Sequence, residues 1–356
     1  MKTIKHNLVI LFATIAFIIP NKTWASKSEP EYKKTIKKEF SVGKDAILDV
    51  NHKYGKVHIN TTAQNEITIE VTIGVDARNQ EDANEIMDNI EIIMQKTGAI
   101  VLVDTKYKKN FKNNKNNLQV NYVINIPSDI TVLADIKFSN FFLGDLKGKC
   151  KLELDYSNFT LGNLSYPINE IYAKFSNGTM QTADKLNVLM SYGTLKAEAI
   201  NELTMTSEFS TIKIEELKKS KVSSKYDSFS IEKVGEIILN ASFTAITLKE
   251  LAKSAVINSK YGAIKLGNIS KNFELIDIDS EFAGVKLVFE QESGFNFHLN
   301  TEFAGISVPK SVNITQKIKE YNSESLKGSY GNAKNSTVKV SSKHGGIKIV
   351  TDADEK

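Results

Sequence analysis

Counted from an aromatic residue as position 0, apolar or small side chains fall at −4, −2, 0, +3, +5 and +8, with mostly polar residues between, and this frame recurs down the chain. Around Phe243 the set is Leu239, Ala241, Phe243, Ile246, Leu248 and Leu251; around Tyr156 it is Leu152, Leu154, Tyr156, Phe159, Leu161 and Leu164. The central rings are Phe138, Tyr156, Phe175, Tyr192, Phe209, Tyr226, Phe243, Tyr261, Phe282 and Phe303, separated by steps of 17 to 21 residues. Most steps are too short for a strand with a helical return, which sets aside a leucine-rich repeat. The pattern predicts an all-β fold: a parallel β-helix or β-solenoid of short 17–21-residue coils, each stacked on the last.

Positions −4 and −2 share one parity and +3 and +5 the other, so the chain turns a corner between them. Small residues at +1 and +2, such as Ser157-Asn158, Ser176-Asn177 and Gly262-Ala263, suit that corner. With the corner there, position 0 keeps the parity of −2, and the aromatics are expected to form an internal column, Tyr226 among them. Position −2 shrinks from Ile136 and Leu154 to Ser207, Ser224 and Ser259, read as room for the ring beside it. At position −1 unlike charges often occupy neighbouring coils (Lys137, Asp155, Lys174, Ser191, Glu208, Lys225, Ser242, Lys260, Glu281, Glu302), as a solvated β-surface requires.

A further copy fits Val50 to Ile59 around Tyr54, about 80 residues before the array. Between them a strand is predicted over 67–73, a short amphipathic helix running into a strand over 79–94, and strands over 100–103 and 118–126, with a basic, Asn-rich loop at 106–117. Residues 26–130 are accordingly read as a strand-and-helix cap over the first coil, residues 131–350 as the solenoid and 351–356 as a polar tail. The frame lapses between Val308 and Val338, where a loop or hairpin is expected, and a last copy at Lys343-His344-Gly345-Gly346 is expected to close the far end.

Lys2 and Lys5 precede an apolar run from Leu8 to Ile19, and Thr23-Trp24-Ala25 ends on a small residue. Residues 1–25 therefore read as a secretory signal peptide; the run falls short of the ~20 residues of a spanning helix, so no transmembrane span is expected in the mature chain. Removing Lys2, Lys5 and Lys22 brings the formal charge from +4 to about +1, which gives no attraction to nucleic acid. Arg78 is the sole arginine and Cys150 the sole cysteine; Cys150 alternates with Leu152 and Leu154 and reads as a buried apolar side chain.

The run Ile124-Asn125-Ile126-Pro127, the Ser139-Asn140-Phe141 copy and the Tyr-Gly-x-Ile-x-Leu copies resemble the bacterial putative adhesin domain family, exported β-solenoid proteins common in Bacteroidota. The resemblance spans nearly the whole mature chain and implies adhesion or surface interaction, with no catalytic residue to carry over. His52, His58, His298 and His344 lack metal-ligand spacing, so neither metal nor cofactor is expected. Asp155, Glu208 and Asp227 lie in separate copies, against the alternative of a polysaccharide lyase or hydrolase. The chain is thus expected to be a non-enzymatic, adhesin-like or scaffold module of a Gram-negative envelope, in the periplasm or at the cell surface. Its partner would be an envelope protein, a glycan or a second copy of itself. Phe289 and Phe295, which fit the frame least well, form the candidate partner surface, against the alternative that they pack under the 309–337 segment.

Overall fold

A computed structural model of the chain describes residues 31–108, 118–333 and 336–351. The signal-peptide reading, part of the 106–117 loop and residues 352–356 of the tail lie outside the described residues. Among those described there are 21 strands and one helix, so the fold is all-β. No helix among them is long and apolar enough to cross a membrane.

The N-terminal part runs β1 (Tyr32–Ser41), β2 (Ile47–Thr62), β3 (Glu66–Val75), α1 (Gln80–Met87), β4 (Ile90–Thr97), β5 (Ile100–Tyr107) and β6 (Gln119–Pro127). The helix is the one predicted: the Asn79 side chain accepts the Asp82 N–H at its start, and Ala83 and Met87 are its buried residues. Strand β2 carries the Tyr54 copy. It pairs in parallel with β5 along residues 47–51 and with β6 along 55–62, while β3 and β1 extend the β6 side antiparallel. Alternating Ile67, Ile69, Val71 and Ile73 fill the interior there.

The repeats follow as β7 (Thr131–Leu143), β8 (Cys150–Asp155), β9 (Asn158–Leu161), β10 (Asn169–Lys174), β11 (Asn177–Ser191), β12 (Thr194–Glu208), β13 (Thr211–Lys225), β14 (Ser228–Ile269) and β15 (Leu275–Phe289). Each copy pairs in parallel with the next, as in Leu195 opposite Ile212 and Ile212 opposite Phe229. Strand β7 also pairs directly with β2, so the 80 intervening residues are an excursion and the Tyr54 copy is the first rung of the same stack. Positions −4, −2, +3, +5 and +8 supply one continuous apolar core from Leu48 to Ile349. Cys150 is buried within it, and desolvation pushes its thiol up to about 12.

The last strands are β16 (Phe295–Glu302), β17 (Ile306–Ser307), β18 (Asn313–Lys319), β19 (Ser323–Tyr330), β20 (Thr337–Lys343) and β21 (Ile347–Thr351). Here the expected order fails. Strand β20 pairs in parallel with both β15 and β16, and β21 with both β15 and β17, so the final copy is inserted between two earlier ones instead of closing the end. The irregular segment is a hairpin: β19 covers β16 antiparallel, and β18 covers β19. In this order Val338 and Val340 meet apolar neighbours on both sides, Ile276 and Ile278 on one and Phe297 and Leu299 on the other.

Candidate functional site

The residue at position 0 of each copy has a left-handed backbone, with φ between 50° and 67° from Tyr54 and Phe138 through Phe303 and His344. A non-glycine residue rarely adopts this region. Its effect on the chain is to shift the alternation by one: −2 points in, −1 out, 0 out, +1 in, +2 out and +3 in. The corner is the aromatic itself. The rings are accordingly outside, 37–54 % exposed, with Tyr226 at 42 %, and the expected internal column is overturned. The residue that turns inward is the small one at +1: Ser139, Ser157, Ser176, Ser210, Asp227 and Thr244 are buried. Glycine at +1 serves the same need, since a Cβ on Gly262 would stand 2.2 Å from the Thr244 carbonyl oxygen.

An inward +1 residue brings its own N–H into the interior, where it needs an acceptor. The next copy provides one. Ser139 N–H donates to Ser157 Oγ at 3.3 Å, Ser157 N–H to Ser176 Oγ at 3.0 Å, Gly193 N–H to Ser210 Oγ at 3.3 Å, Ser210 N–H to Asp227 Oδ1 at 2.7 Å and Asp227 N–H to Thr244 Oγ1 at 3.3 Å. The hydroxyls in turn donate to carbonyls, as Ser176 Oγ does to Leu154 and Lys174. The shrinking −2 column also has another cause than room for a ring. Ser207 and Ser224 each donate to Asp227 Oδ2 at 2.6 Å, so these two small residues serve a buried carboxylate at the corner.

Outside, the rings stack. From Phe138 to Phe282 successive centroids lie 4.6–4.9 Å apart with planes within 14° of parallel. Tyr54 joins at one end, 5.5 Å from Phe138; at the other, His344 sits between Phe282 at 4.6 Å and Phe303 at 4.8 Å. Twelve rings thus form one column. In spatial order tyrosine alternates with phenylalanine throughout, His344 taking the tyrosine position. The rings of Tyr54, Phe175 and Tyr226 also receive the ammonium groups of Lys53, Lys174 and Lys225, at 4.7, 5.7 and 5.3 Å.

The residues singled out beforehand lie elsewhere. Phe289 and Phe295 are 0 % and 1 % exposed and stack on each other at 4.2 Å, with Phe273 beside them and Tyr330 of β19 5.4 Å from Phe295. They pack beneath the hairpin and are not available to a partner. Of the histidines, His52 is buried, its Nδ1 3.2 Å from Thr105 Oγ1, and desolvation lowers it to about 3. His58 stacks on Phe142 at 4.1 Å. No group of three metal-ligating side chains occurs among the described residues. Many outward carboxylates are tied to lysines of a neighbouring copy, as in Glu202 to Lys185 and Glu232 to Lys249, both 2.7 Å.

The signal for the external column was present in the sequence. A ring occupied nearly every position 0 while a small residue followed at nearly every +1, and only a corner at position 0 lets the small residue be the buried one.

No family model matches the chain, and no curated protein does. Among solved structures it is similar to a putative adhesin from Parabacteroides distasonis ATCC 8503, at 13 % identity and TM-score 0.37, covering 69 % of this chain and 97 % of that one. A putative adhesin from Parabacteroides merdae ATCC 43184 gives 15 % identity, TM-score 0.35 and coverages of 71 % and 95 %. A putative lipid binding protein from Parabacteroides distasonis ATCC 8503 gives 11 %, 0.34, 88 % and 96 %. The structures found similar to this chain thus include putative adhesins of Bacteroidota, the group that its repeats resemble.

Proposed function

We propose that the chain is an exported, non-enzymatic interaction module of adhesin type whose contact surface is the external ring column. In this reading it is a β-solenoid of 17–21-residue coils, with residues 26–130 as a cap whose β5 and β6 cover the free edge of β2. The observation that carries the proposal is the uninterrupted run of twelve half-exposed rings. Asparagine or glycine would hold a left-handed corner at lower cost, and either would leave the surface polar. Instead the chain spends an aromatic at nearly every corner, and an apolar stripe of this length exceeds what soluble surfaces ordinarily leave uncovered. Asp155, Glu208 and Asp227 do not form the paired carboxylates that a polysaccharide-cleaving site needs: Asp227 is turned inward onto Ser207, Ser210 and Ser224, whereas Asp155 and Glu208 lie in the outward −1 row.

The test compares the purified chain with a triple variant, Tyr192→Asn, Phe209→Asn and Tyr226→Asn, in a glycan-array and envelope pull-down screen. Saturable binding that the variant loses, with native circular dichroism retained, is the expected result. Equal binding by both proteins would sink the column as contact surface, and turnover of any polysaccharide would favour the enzyme.

A further inference from the structure

We infer that the ring column is the face through which two copies of this chain pair side by side, an inference that rests on the column being a contact surface. The first argument concerns which part of each ring is free. Between Phe138 and Phe282 every ring has both faces covered by its neighbours at 4.6–4.9 Å. A sugar ring or a nucleobase, which binds aromatics face on, finds a free face only at the ends of the column. What the column offers along its length is ring edges, with a hydroxyl at every second rung.

The second argument is area and period. With about half of a ~200 Å² side chain exposed at each rung, twelve rings present roughly 1,000 Å² per copy, or ~2,000 Å² across a pair, within the range of specific stable interfaces. A partner that engages the whole length must repeat every ~4.8 Å along the same axis. A second copy does so by construction, and identical stacked side chains interdigitating across a dry seam are a known way for ladders to associate.

Charge then selects the orientation. Running antiparallel, the −1 row of one copy would face the same row of the other, setting Lys137 against Lys343, Lys174 against Lys260 and Asp155 against Glu281, with opposite charges meeting at Lys53 and Glu302 and at Glu208 and Lys225. Running parallel about a two-fold axis, that row faces the +2 row, which carries Lys56 opposite Lys53 at the first rung and no charge from Asn140 through Thr194, Ser228 and Ala263 to Gly305. Like charges brought together cost more than exposed opposite charges return, and parallel pairing sets like charges together in one residue pair where antiparallel pairing does so in three, so the pair is parallel.

Sedimentation velocity on the purified chain up to about 100 µM should give twice the chain mass, and the triple asparagine variant should sediment as a monomer with native circular dichroism. In Phe209→Cys the new thiol is the reactive one, because Cys150 is buried; mild oxidation should link two copies through residue 209, which meets its own counterpart only in the parallel pair. A monomeric wild type, or a variant that dimerises as the wild type does, overturns self-pairing. Dimers that never link through residue 209 overturn the parallel arrangement. If the wild type is monomeric but the triple variant loses binding to glycans or to phosphatidylcholine–phosphatidylglycerol vesicles, self-pairing fails while the contact surface stands. If neither mass nor binding differs between the two proteins, both fail.

Discussion

A ring at φ near 50° carries a cost of about 1–2 kcal/mol for an L-residue, and each stacked contact returns about 0.5–1.5 kcal/mol. Phe209, at φ 50° between Tyr192 and Tyr226, makes two such contacts. Truncation to alanine removes both and keeps the strain; truncation to glycine removes both and relieves it. Phe209→Gly should therefore be more stable than Phe209→Ala by about 1 kcal/mol, the reverse of the usual order in strands, which denaturant unfolding will show. The interior follows ordinary rules. Ile246 is 1 % exposed, so Ile246→Asp should cost several kcal/mol, whereas Thr247→Asp at the neighbouring outward position should cost under ~1 kcal/mol; equal losses in melting temperature would mean that the inward assignment is wrong. Ile246 was legible from the sequence because hydrophobic alternation reports burial directly. Tyr226 was not legible that way, because alternation says nothing of a residue that leaves the extended region; its only signal was the small residue that follows each ring.

Within an element, the parallel ladders leave one donor per corner to be satisfied from inside, and the +1 side chains meet that need. Ser176 accepts from Ser157 N–H and donates to two carbonyls, so Ser176→Ala should cost about 1–3 kcal/mol although it removes one oxygen atom. A serine on the outer +4 row should tolerate the same change within about 0.5 kcal/mol. In β2 the buried chain from His52 through Thr105 to Tyr122 adds a pH term. Desolvation lowers His52 from 6.5 to about 3, so the folded state holds the ring neutral and the unfolded state takes the proton more readily. Its contribution is complete above about pH 6.5 and is lost as pH falls toward 3, at no more than ~1.4 kcal/mol per unit. The melting temperature of the wild type should fall more steeply from about pH 7 to about pH 4.5 than that of His52→Gln, and parallel slopes would refute the assignment. The helix, the strands around it and the parallel pairing were legible from periodicity. The placement of β20 was not, since Val338 and Val340 suit an end position as well as an inner one.

At the scale of the molecule, order in sequence and order in space agree from β7 to β15 and part company afterwards. In backbone pairing, strands β16 and β17 reach β15 only through β20 and β21. Ending the chain at residue 333 should leave β15 and β16 without their shared neighbour, and hydrogen exchange should show protection lost across 295–330 but kept across 150–266; protection retained at 295–330 would mean that β15 and β16 can pair alone. The inserted strand also has a consequence for how the protein comes into being. Earlier rungs can stack as they emerge, each on one already in place. The rung at 337–351 is made after the rungs on both sides of it, so a chain interrupted before residue 337 carries a gap flanked by unpaired backbone, open to proteolysis and to pairing with a neighbouring chain. The ring column has the same dependence, since His344 bridges Phe282 and Phe303. An unbroken column therefore reports that the chain has been made at least through His344, and a product stopped earlier differs from it both in shape and in susceptibility to degradation.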